Sequence, residues 1–314
     1  MKICLSIGKE GPEFANLAAT LEQYAQVDVV GLGGFSLSGY DIFIGKQLSK
    51  EILQTADRLK IAFAYKTGVD NFPLVEMAKM GITLVNSHAD SNIIAEYAFG
   101  LSISLVNRIT ECDKKLRNGI WYDNSNPYWE SIFDMKVGLL GYGHIGKQLH
   151  KILQKNGIET YTLQRGKDYQ GITPVDTLEE LFQKTDILIL SLPKTPATDN
   201  LINENSLKWL KGKYIVNVGR SNCIDLKALY EALKENRIGG AAIDTWDEKP
   251  KNTTTTLYPS QYPFQKLDNV VLSPHQATRI NVGHQRYVND ICQKVIAYLQ
   301  TGAITDKVDL QKGY

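Results

Sequence analysis

Residues 135–148 read MKVGLLGYGHIGKQ, and this stretch decides the fold of the chain. Four mostly apolar residues, Val137–Leu140, run directly into Gly141, Gly143 and Gly146, which have the G-x-G-x-x-G spacing, and a helix-compatible sequence follows. A strand, a glycine turn and a helix in this order predict a dinucleotide site. The glycines let the backbone approach a pyrophosphate, and free N–H groups at the helix start face it. A purely structural turn is the alternative, because the glycine spacing alone is not specific.

Length and composition limit the number of domains and the class of protein. The 314 residues exceed one usual domain, so two domains are expected. A net charge of +1 gives no electrostatic footprint for nucleic acid or for a membrane surface. The four cysteines lack C-x-x-C spacing, no basic and apolar leader opens the chain, and the longest apolar segment is interrupted by Glu96. These features predict a cytoplasmic protein without a nucleic-acid partner, a membrane partner or a metal site.

The first hundred residues alternate between strands and helices, which predicts βαβ units and a parallel sheet. The predicted strands are Lys2–Ile7, Val27–Val30, Ile42–Ile44, Ile61–Ala64 and Ile82–Val85, and the predicted helices are Phe14–Tyr24, Lys50–Leu59 and Leu74–Met80. A glycine-containing loop with Lys66, Thr67 and Gly68 follows the fourth of these strands. Its amides could hold a carboxylate at the sheet edge where ligands bind, with Lys66 adding charge. An ordinary solvated lysine is the alternative at position 66.

Residues Ser91–Asn118 read as one long helix that leads from the first domain into the second. Its apolar face comprises Ile94, Ala98, Leu101, Leu105 and Ile109. An aromatic segment with Trp121, Tyr122, Tyr128 and Trp129 follows, and we interpret it as a subunit interface rather than a substrate pocket.

The end of the next predicted strand, Glu159–Leu163, bears on the choice of cofactor. NAD sites usually place Asp or Glu about twenty residues beyond the glycines, where it binds the ribose 2′-hydroxyl. This chain has Gln164 and Arg165 instead, and a guanidinium suits a 2′-phosphate. The sequence therefore predicts NADP as the cofactor, with NAD possible. In the alternative, Asp168 supplies the carboxylate and Arg165 is solvated.

Three chemically capable side chains follow strand ends in the second half of the chain. Near-continuous apolar strands are predicted at Asp186–Leu192, Tyr214–Val218, Gly240–Asp244 and Val270–Leu272, so both faces of their sheet should be covered. Arg220, Asp244 and His275 each come at the carboxyl end of such a strand, on the same edge as the glycine turn. A buried ion pair, a helix cap and a satisfied histidine are their structural alternatives. Together they predict a catalytic site.

In the order and spacing of these segments, the chain resembles the D-isomer-specific 2-hydroxyacid dehydrogenases over nearly its whole length. The segments that carry the resemblance are Gly68–Asn71, Gly141–Gly146, Leu192-Pro193 with Thr195, Asn217–Arg220, Ala242–Asp244 and Asn269–His275. The resemblance implies an α/β protein with two doubly wound parallel-sheet domains. A larger Rossmann NAD(P)-binding domain, residues 98–281, would be inserted into a smaller flavodoxin-like substrate domain, residues 1–97 and 282–314. It also implies a homodimer, and a helix over Val282–Leu299 that packs on the first domain.

The resemblance further implies hydride transfer between nicotinamide and a small 2-oxo or 2-hydroxy acid of D configuration. His275 would exchange the proton on the substrate oxygen, Arg220 would bind the substrate carboxylate, and the amides of Lys66, Thr67 and Gly68 would complete carboxylate binding. Histidine titrates near neutrality and arginine offers two parallel donors, so both residue types suit these roles. The predicted cofactor-binding residues are Gly141, Gly143, His144, Ile145, Gly146, Gln164, Arg165, Leu192, Pro193, Val218, Gly219 and Asp244.

One position departs from the family pattern. The family usually pairs its histidine with a glutamate directly before a proline, and this chain has Lys249 before Pro250, with Glu248 one residue early. A lysine there should lower the pKa of the histidine, whereas a carboxylate would raise it. Glu248 is therefore predicted as a displaced catalytic partner, unless the dyad is broken. The departure leaves two other functions open: hydride transfer from a formate-like or phosphite-like substrate, and non-enzymatic NAD(P)H sensing.

Overall fold

The computed structural model describes residues 1–8, 12–121, 128–166, 169–247, 257–281 and 283–314. The chain divides into two compact units, Met1–Asp90 with Ile280–Tyr314, and Ser91–Arg279. The domain boundaries predicted from the resemblance lie between residues 97 and 98 and between residues 281 and 282. None of the helices in the described ranges combines the length and the apolar character that a bilayer crossing requires.

The first unit contains a five-stranded sheet in which every paired strand is parallel. Its strands are β1 (Lys2–Ser6), β2 (Gln26–Val30), β3 (Ile42–Gly45), β4 (Ile61–Ala64) and β5 (Thr83–Val85), in the spatial order β2-β1-β3-β4-β5. Its described helices are α1 (Pro12–Leu21), α2 (Lys50–Leu53), α3 (Leu74–Lys79) and α10 (Gly283–Thr301). This strand order is that of the flavodoxin-like folds.

Both faces of the first sheet are covered. Ile3 and Leu5 of β1 pack with Ile291 of α10, while Cys4 between them packs with Met77 of α3 on the other face. Successive strand residues point to opposite faces, so a strand buried on both sides must be apolar at every position. This explains the near-continuous apolar runs of the sequence.

The second unit contains a seven-stranded sheet, also parallel at every pairing. Its strands are β6 (Val137–Leu140), β7 (Thr160–Leu163), β8 (Thr173–Val175), β9 (Ile187–Leu190), β10 (Tyr214–Asn217), β11 (Gly240–Ile243) and β12 (Val270–Leu272). Its described helices are α4 (Ser91–Val106), α5 (Ile109–Arg117), α6 (His144–Lys155), α7 (Leu178–Lys184), α8 (Glu204–Leu207) and α9 (Leu226–Lys234).

The spatial order of the second sheet is β12-β11-β10-β9-β6-β7-β8, so the direction of winding reverses between β6 and β9. In open α/β sheets, ligands bind in the crevice at the carboxyl ends of the strands on either side of such a reversal. The glycine turn after β6 lies at this position. The predicted fold class, two doubly wound parallel-sheet domains of which one is a Rossmann domain, is confirmed.

Two predicted helices were wrong in detail, and one strand was not predicted. The single helix Ser91–Asn118 is two helices, because α4 ends at Val106 and Arg108 adopts a left-handed conformation with φ 56° before α5 begins. Ile109, which was expected on the buried face, is exposed as a result. The predicted helix Lys50–Leu59 ends at Leu53, and the short edge strand β8 was not predicted.

Candidate active site

The three glycines of the turn differ in whether the surrounding protein itself requires a glycine. Gly141 has φ 111°, a conformation that side chains other than glycine's rarely adopt. A Cβ on Gly146 would overlap the carbonyl oxygen of Gly141, whereas a Cβ on Gly143 would meet no protein atom within 4 Å. Gly141 and Gly146 are therefore required by the turn itself. Gly143 is required only if something else approaches the backbone there.

The start of α6 fits a phosphate group. Gly143 occupies the N-cap position and provides no side-chain cap, and the first turn of α6 contains no acidic residue. The amide groups of a helix N-terminus carry partial positive charge and lack intrahelical acceptors. Together with the open space at Gly143, this arrangement can hold the pyrophosphate of a dinucleotide.

The segments after β9 and β10 complete the crevice at the point of reversal. The hydroxyl of Ser191 donates to the carbonyl of Gly141 (3.1 Å), which joins the end of β9 to the glycine turn. A Cβ on Gly219 would lie 2.7 Å from the backbone N and O of Leu192, so the two segments pass each other closely. The predicted cofactor-binding residues Leu192, Pro193, Val218 and Gly219 lie on these two segments.

The end of β7 is exposed. Gln164 and Arg165 both lie on the surface, and Asp168, the alternative carboxylate, is outside the described residues. The amides of Arg165 and Gly166 donate to the hydroxyl of Tyr169, whose ring stacks on Tyr142 at 6.2 Å between ring centroids. Since Tyr142 lies between the first two glycines of the motif, this ring pair connects the segment Arg165-Gly166 to the glycine turn.

A buried histidine lies beneath this ring pair. His150 of α6 contacts the ring of Tyr142, with 5.8 Å between centroids. Its Nε2 donates to the carbonyl of Gln170 (3.0 Å), so its Nδ1 accepts from the hydroxyl of Thr160 (2.8 Å). Burial lowers the pKa of His150 below its ordinary value, which keeps the ring neutral.

The loop that carries Arg220 is organised by Asn217, the last residue of β10. Asn217 is buried; its Oδ1 accepts the amide of Gly219 (3.0 Å) and its Nδ2 donates to the carbonyl of Arg220 (3.1 Å). The half-buried Arg220 side chain donates from Nη1 to the carbonyl of Gly219 (3.0 Å). Asn217 was not among the predicted site residues, although a polar residue at the end of a buried apolar strand is a signal that could have indicated it.

Asp244 holds the turn that carries His275. This carboxylate is 1% exposed and accepts hydrogen bonds from the Ser273 hydroxyl, the Gln276 amide (2.7 Å) and the Ala277 amide (3.3 Å). The donors lie on both sides of His275, whose own φ is 56° and whose side chain is exposed. Asp244 therefore supports the turn that carries His275, and its predicted contact with the cofactor stays a prediction.

Ser273 links this turn to two aromatic residues. Its hydroxyl donates to Asp244 and accepts from the hydroxyl of Tyr97 (2.9 Å), and its carbonyl accepts from Nε1 of Trp246 (2.8 Å). Ser273, Tyr97 and Trp246 were not among the predicted site residues, because their contacts join segments far apart in the chain.

The second sheet thus brings several predicted residues to one edge. Arg220, Asp244 and His275 follow the adjacent strands β10, β11 and β12, and the glycine turn follows β6 on the same edge. Lys66, Thr67 and Gly68 follow β4 in the first unit. Glu248 and Lys249 lie outside the described residues, so Glu248 stays a prediction.

Known proteins resemble the chain in sequence. The family described as D-isomer specific 2-hydroxyacid dehydrogenase, NAD binding domain, matches residues 99–277. A glyoxylate reductase of Thermofilum pendens is 33% identical over 264 residues, which are 81% of this chain and 76% of the relative. A D-3-phosphoglycerate dehydrogenase of Methanocaldococcus jannaschii is 30% identical over 84% of this chain, which spans 50% of that relative's length.

Solved structures resemble the chain along nearly its full length. The PH0520 protein from Pyrococcus horikoshii has a TM-score of 0.85 at 29% identity, and the match covers 98% of this chain and 95% of that one. An acyclic imino acid reductase solved with NADPH and D-Arg has a TM-score of 0.82 at 25% identity, covering 98% and 100% of the two chains.

Proposed function

Because this chain belongs to the D-isomer-specific 2-hydroxyacid dehydrogenase family, we propose that it transfers a hydride between a nicotinamide cofactor and a small 2-oxo or D-2-hydroxy acid. The family consists of NAD(P)-dependent oxidoreductases, and the chain is one of them. One observation carries the proposed site: the Asp244-held turn presents an exposed His275 at the same sheet edge as the glycine turn.

His275 is the proposed acid and base. Reduction of a 2-oxo acid adds a hydride to carbon and a proton to oxygen, so the developing alkoxide needs an acid that titrates near neutrality. The bound nicotinamide supplies the hydride. The exposed imidazole, on a turn that a buried carboxylate holds, suits this exchange. Glu248 is the sequence-predicted partner of His275 in this step.

Arg220 is the proposed carboxylate ligand in the second unit. Its loop is fixed by Asn217 through two hydrogen bonds, which limits the positions of the guanidinium. Two parallel N–H donors match a planar carboxylate and orient the neighbouring carbonyl. In the first unit, the amides of Lys66, Thr67 and Gly68 are the proposed second set of carboxylate donors, so that residues 1–97 and 282–314 would act as the substrate domain.

NADP is the proposed cofactor, with NAD as the weaker one. The exposed guanidinium of Arg165 follows β7, the strand after the glycine helix, and supports recognition of a 2′-phosphate. The ratio of kcat/KM for NADPH to that for NADH measures the preference directly. A ratio below one would overturn this part of the proposal.

The main test is turnover. Purified protein should oxidise NADPH with glyoxylate, hydroxypyruvate or another small 2-oxo acid. The variant His275→Gln should lower kcat by about 10²–10⁴-fold while the dissociation constant of the cofactor stays unchanged. His284→Gln, at a mostly exposed histidine of α10, is the matched control. Cofactor binding without turnover of any 2-oxo acid would contradict the proposal and favour a sensing role.

A homodimer is the proposed assembly. Trp121, Tyr128 and Trp129 expose 85%, 98% and 62% of their surface, and such a concentration of exposed aromatic side chains is typical of an interaction surface. Tyr122 lies outside the described residues. Sedimentation should give the mass of a dimer for the native protein and of a monomer for the double variant Trp121→Glu with Trp129→Glu. A native monomer would overturn the assignment.

A cytoplasmic location is the last part of the proposal. It is supported by the four cysteines, all of which are free of disulfides. Fractionation of the source cells, with detection of the untagged protein, tests it.

A further inference from the structure

The loop Lys66–Gly68, here called the substrate loop, is held by the two residues that follow β5. The amide of Ser87 donates to the carbonyl of Lys66 (3.2 Å), and Nδ2 of Asn86 donates to the carbonyl of Thr67 (2.8 Å). The hydroxyl of Thr67 returns a hydrogen bond to the carbonyl of Ser87 (2.8 Å). Two successive carbonyls of the substrate loop are thus tied to residues 86 and 87.

This attachment fixes the direction of two amides. In a trans peptide the N–H of one residue points opposite to the carbonyl of the residue before it, and no peptide of the described chain is cis. Tying the carbonyls of Lys66 and Thr67 toward Asn86 and Ser87 therefore turns the N–H groups of Thr67 and Gly68 away from them. Among the described residues, neither N–H donates to a protein acceptor.

Asn86 and Ser87 are themselves anchored to α10. The buried hydroxyl of Ser87 donates to Oδ2 of Asp290 (2.6 Å), and Nζ of Lys294 donates to the carbonyl of Asn86 (2.9 Å). Lys294 is only 10% exposed, and its ammonium also contacts Asp290 and Asp306 at 2.7 Å each. An ammonium has three donors, and all three have partners here, so the anchor is well determined.

We propose that Asn86, Ser87, Asp290 and Lys294, together the anchor network, are positioning residues that aim the substrate-loop amides at the carboxylate of the substrate. This inference rests on the proposed function and extends it to residues more than 200 positions apart in the chain. The contacts that define the network are all within the protein. The network acts by orienting two backbone donors before the substrate arrives, so that binding need not order them.

The kinetic test compares a charged substrate with its neutral ester. Asn86→Ala should raise KM for glyoxylate about tenfold and leave kcat within about twofold, because only carboxylate binding is weakened. KM for methyl glyoxylate should not change. Asn289→Ala, at an exposed residue of α10, is the matched control and should leave both constants unchanged. An equal rise in KM for acid and ester would show a merely structural role and overturn the inference.

A binding test separates this inference from the proposed function. Oxalate, a dicarboxylate probe, should shift the amide NMR signals of Thr67 and Gly68 in the native holoenzyme, and Asn86→Ala or Asp290→Asn should weaken its affinity about tenfold. Turnover of glyoxylate without any response of these amides would refute the anchor network and leave the proposed function standing. A response of these amides to oxalate without turnover of any 2-oxo acid would support the anchor network and contradict the proposed function.

Discussion

The carboxyl edge of the second sheet has a closed part and an open part. In the closed part, around Asp244 and Gly146, protein atoms occupy the space next to each functional position. In the open part, at Gly143 and Arg165, side chains and backbone face space that the protein does not fill.

The difference separates two kinds of requirement. In the closed part the fold itself requires the residue, because its neighbours leave room for only one arrangement. In the open part the residue is required by the cofactor that binds there. Substitutions in the closed part should therefore change stability and activity together, whereas those in the open part should change binding alone.

Gly146→Ala should have the largest effect. Its Cβ would overlap a backbone carbonyl that cannot move without opening the turn, so we expect a loss of about 3 kcal/mol or more in the free energy of unfolding. Gly143→Ala is the control in the same turn and should keep the native melting temperature while weakening cofactor binding. Thermal denaturation and cofactor titration check both variants. Equal melting temperatures for the two would contradict the distinction.

Asp244→Asn should break the turn that carries His275. The new amide keeps one oxygen acceptor and has an NH2 group in place of the other, so at least one of the three donors to Asp244 loses its acceptor. This should cost about 2 kcal/mol of stability and, through a misplaced imidazole, about 100-fold in kcat. Steady-state kinetics and urea denaturation measure the two effects. Asp268→Asn, at an exposed carboxylate paired with Lys114, is the control. Full activity in Asp244→Asn would show that the turn does not depend on the carboxylate.

Arg165→Ala should act on binding alone. Loss of a charge-assisted donor to the 2′-phosphate should raise KM for NADPH about tenfold to a hundredfold, while KM for NADH and the melting temperature stay unchanged. Arg237→Ala, at another surface arginine of the second unit, is the control. An equal change for both cofactors would mean that Arg165 does not read the phosphate.

Tyr169→Phe should sharpen the comparison, because Tyr169 lies where the closed and open parts meet. The ring stack on Tyr142 is retained, but the amides of Arg165 and Gly166 lose their acceptor. We expect a rise in KM for NADPH of about threefold to tenfold with no change in kcat. Tyr258→Phe, at an exposed tyrosine, provides the reference. No change in either constant would show that the hydroxyl does not order the loop.

His150 should make the smallest contribution, and it depends on pH. Its pKa is lowered by folding from an ordinary value of 6.5, so the unfolded chain binds the proton more tightly. Its contribution is fully present above about pH 6.5 and is lost as the pH falls below that value. Urea midpoints at about pH 7.5 and about pH 5.5 should differ less for His150→Gln than for the native protein. A steeper acid dependence in the variant would reverse the assignment.

Local sequence patterns predicted much of the fold. The glycine turn, the apolar strands on either side of it and the positions of Arg220, Asp244 and His275 at strand ends all follow from patterns within a few residues. The break between α4 and α5 does not, because Arg108 carries no sequence signal for a left-handed conformation. The apolar repeat continues through the break and predicted one helix.

The sequence by itself determined the nucleotide-binding topology and the residue types that can carry hydride-transfer chemistry, because periodicity and glycine spacing act over short stretches. Only the tertiary structure decided which residues hold those side chains in place. Asp244 meets Ser273 and Gln276, and Ser87 meets Asp290, through contacts between distant segments. Such contacts depend on how parallel strands and helices assemble in space, so no local sequence pattern predicts them.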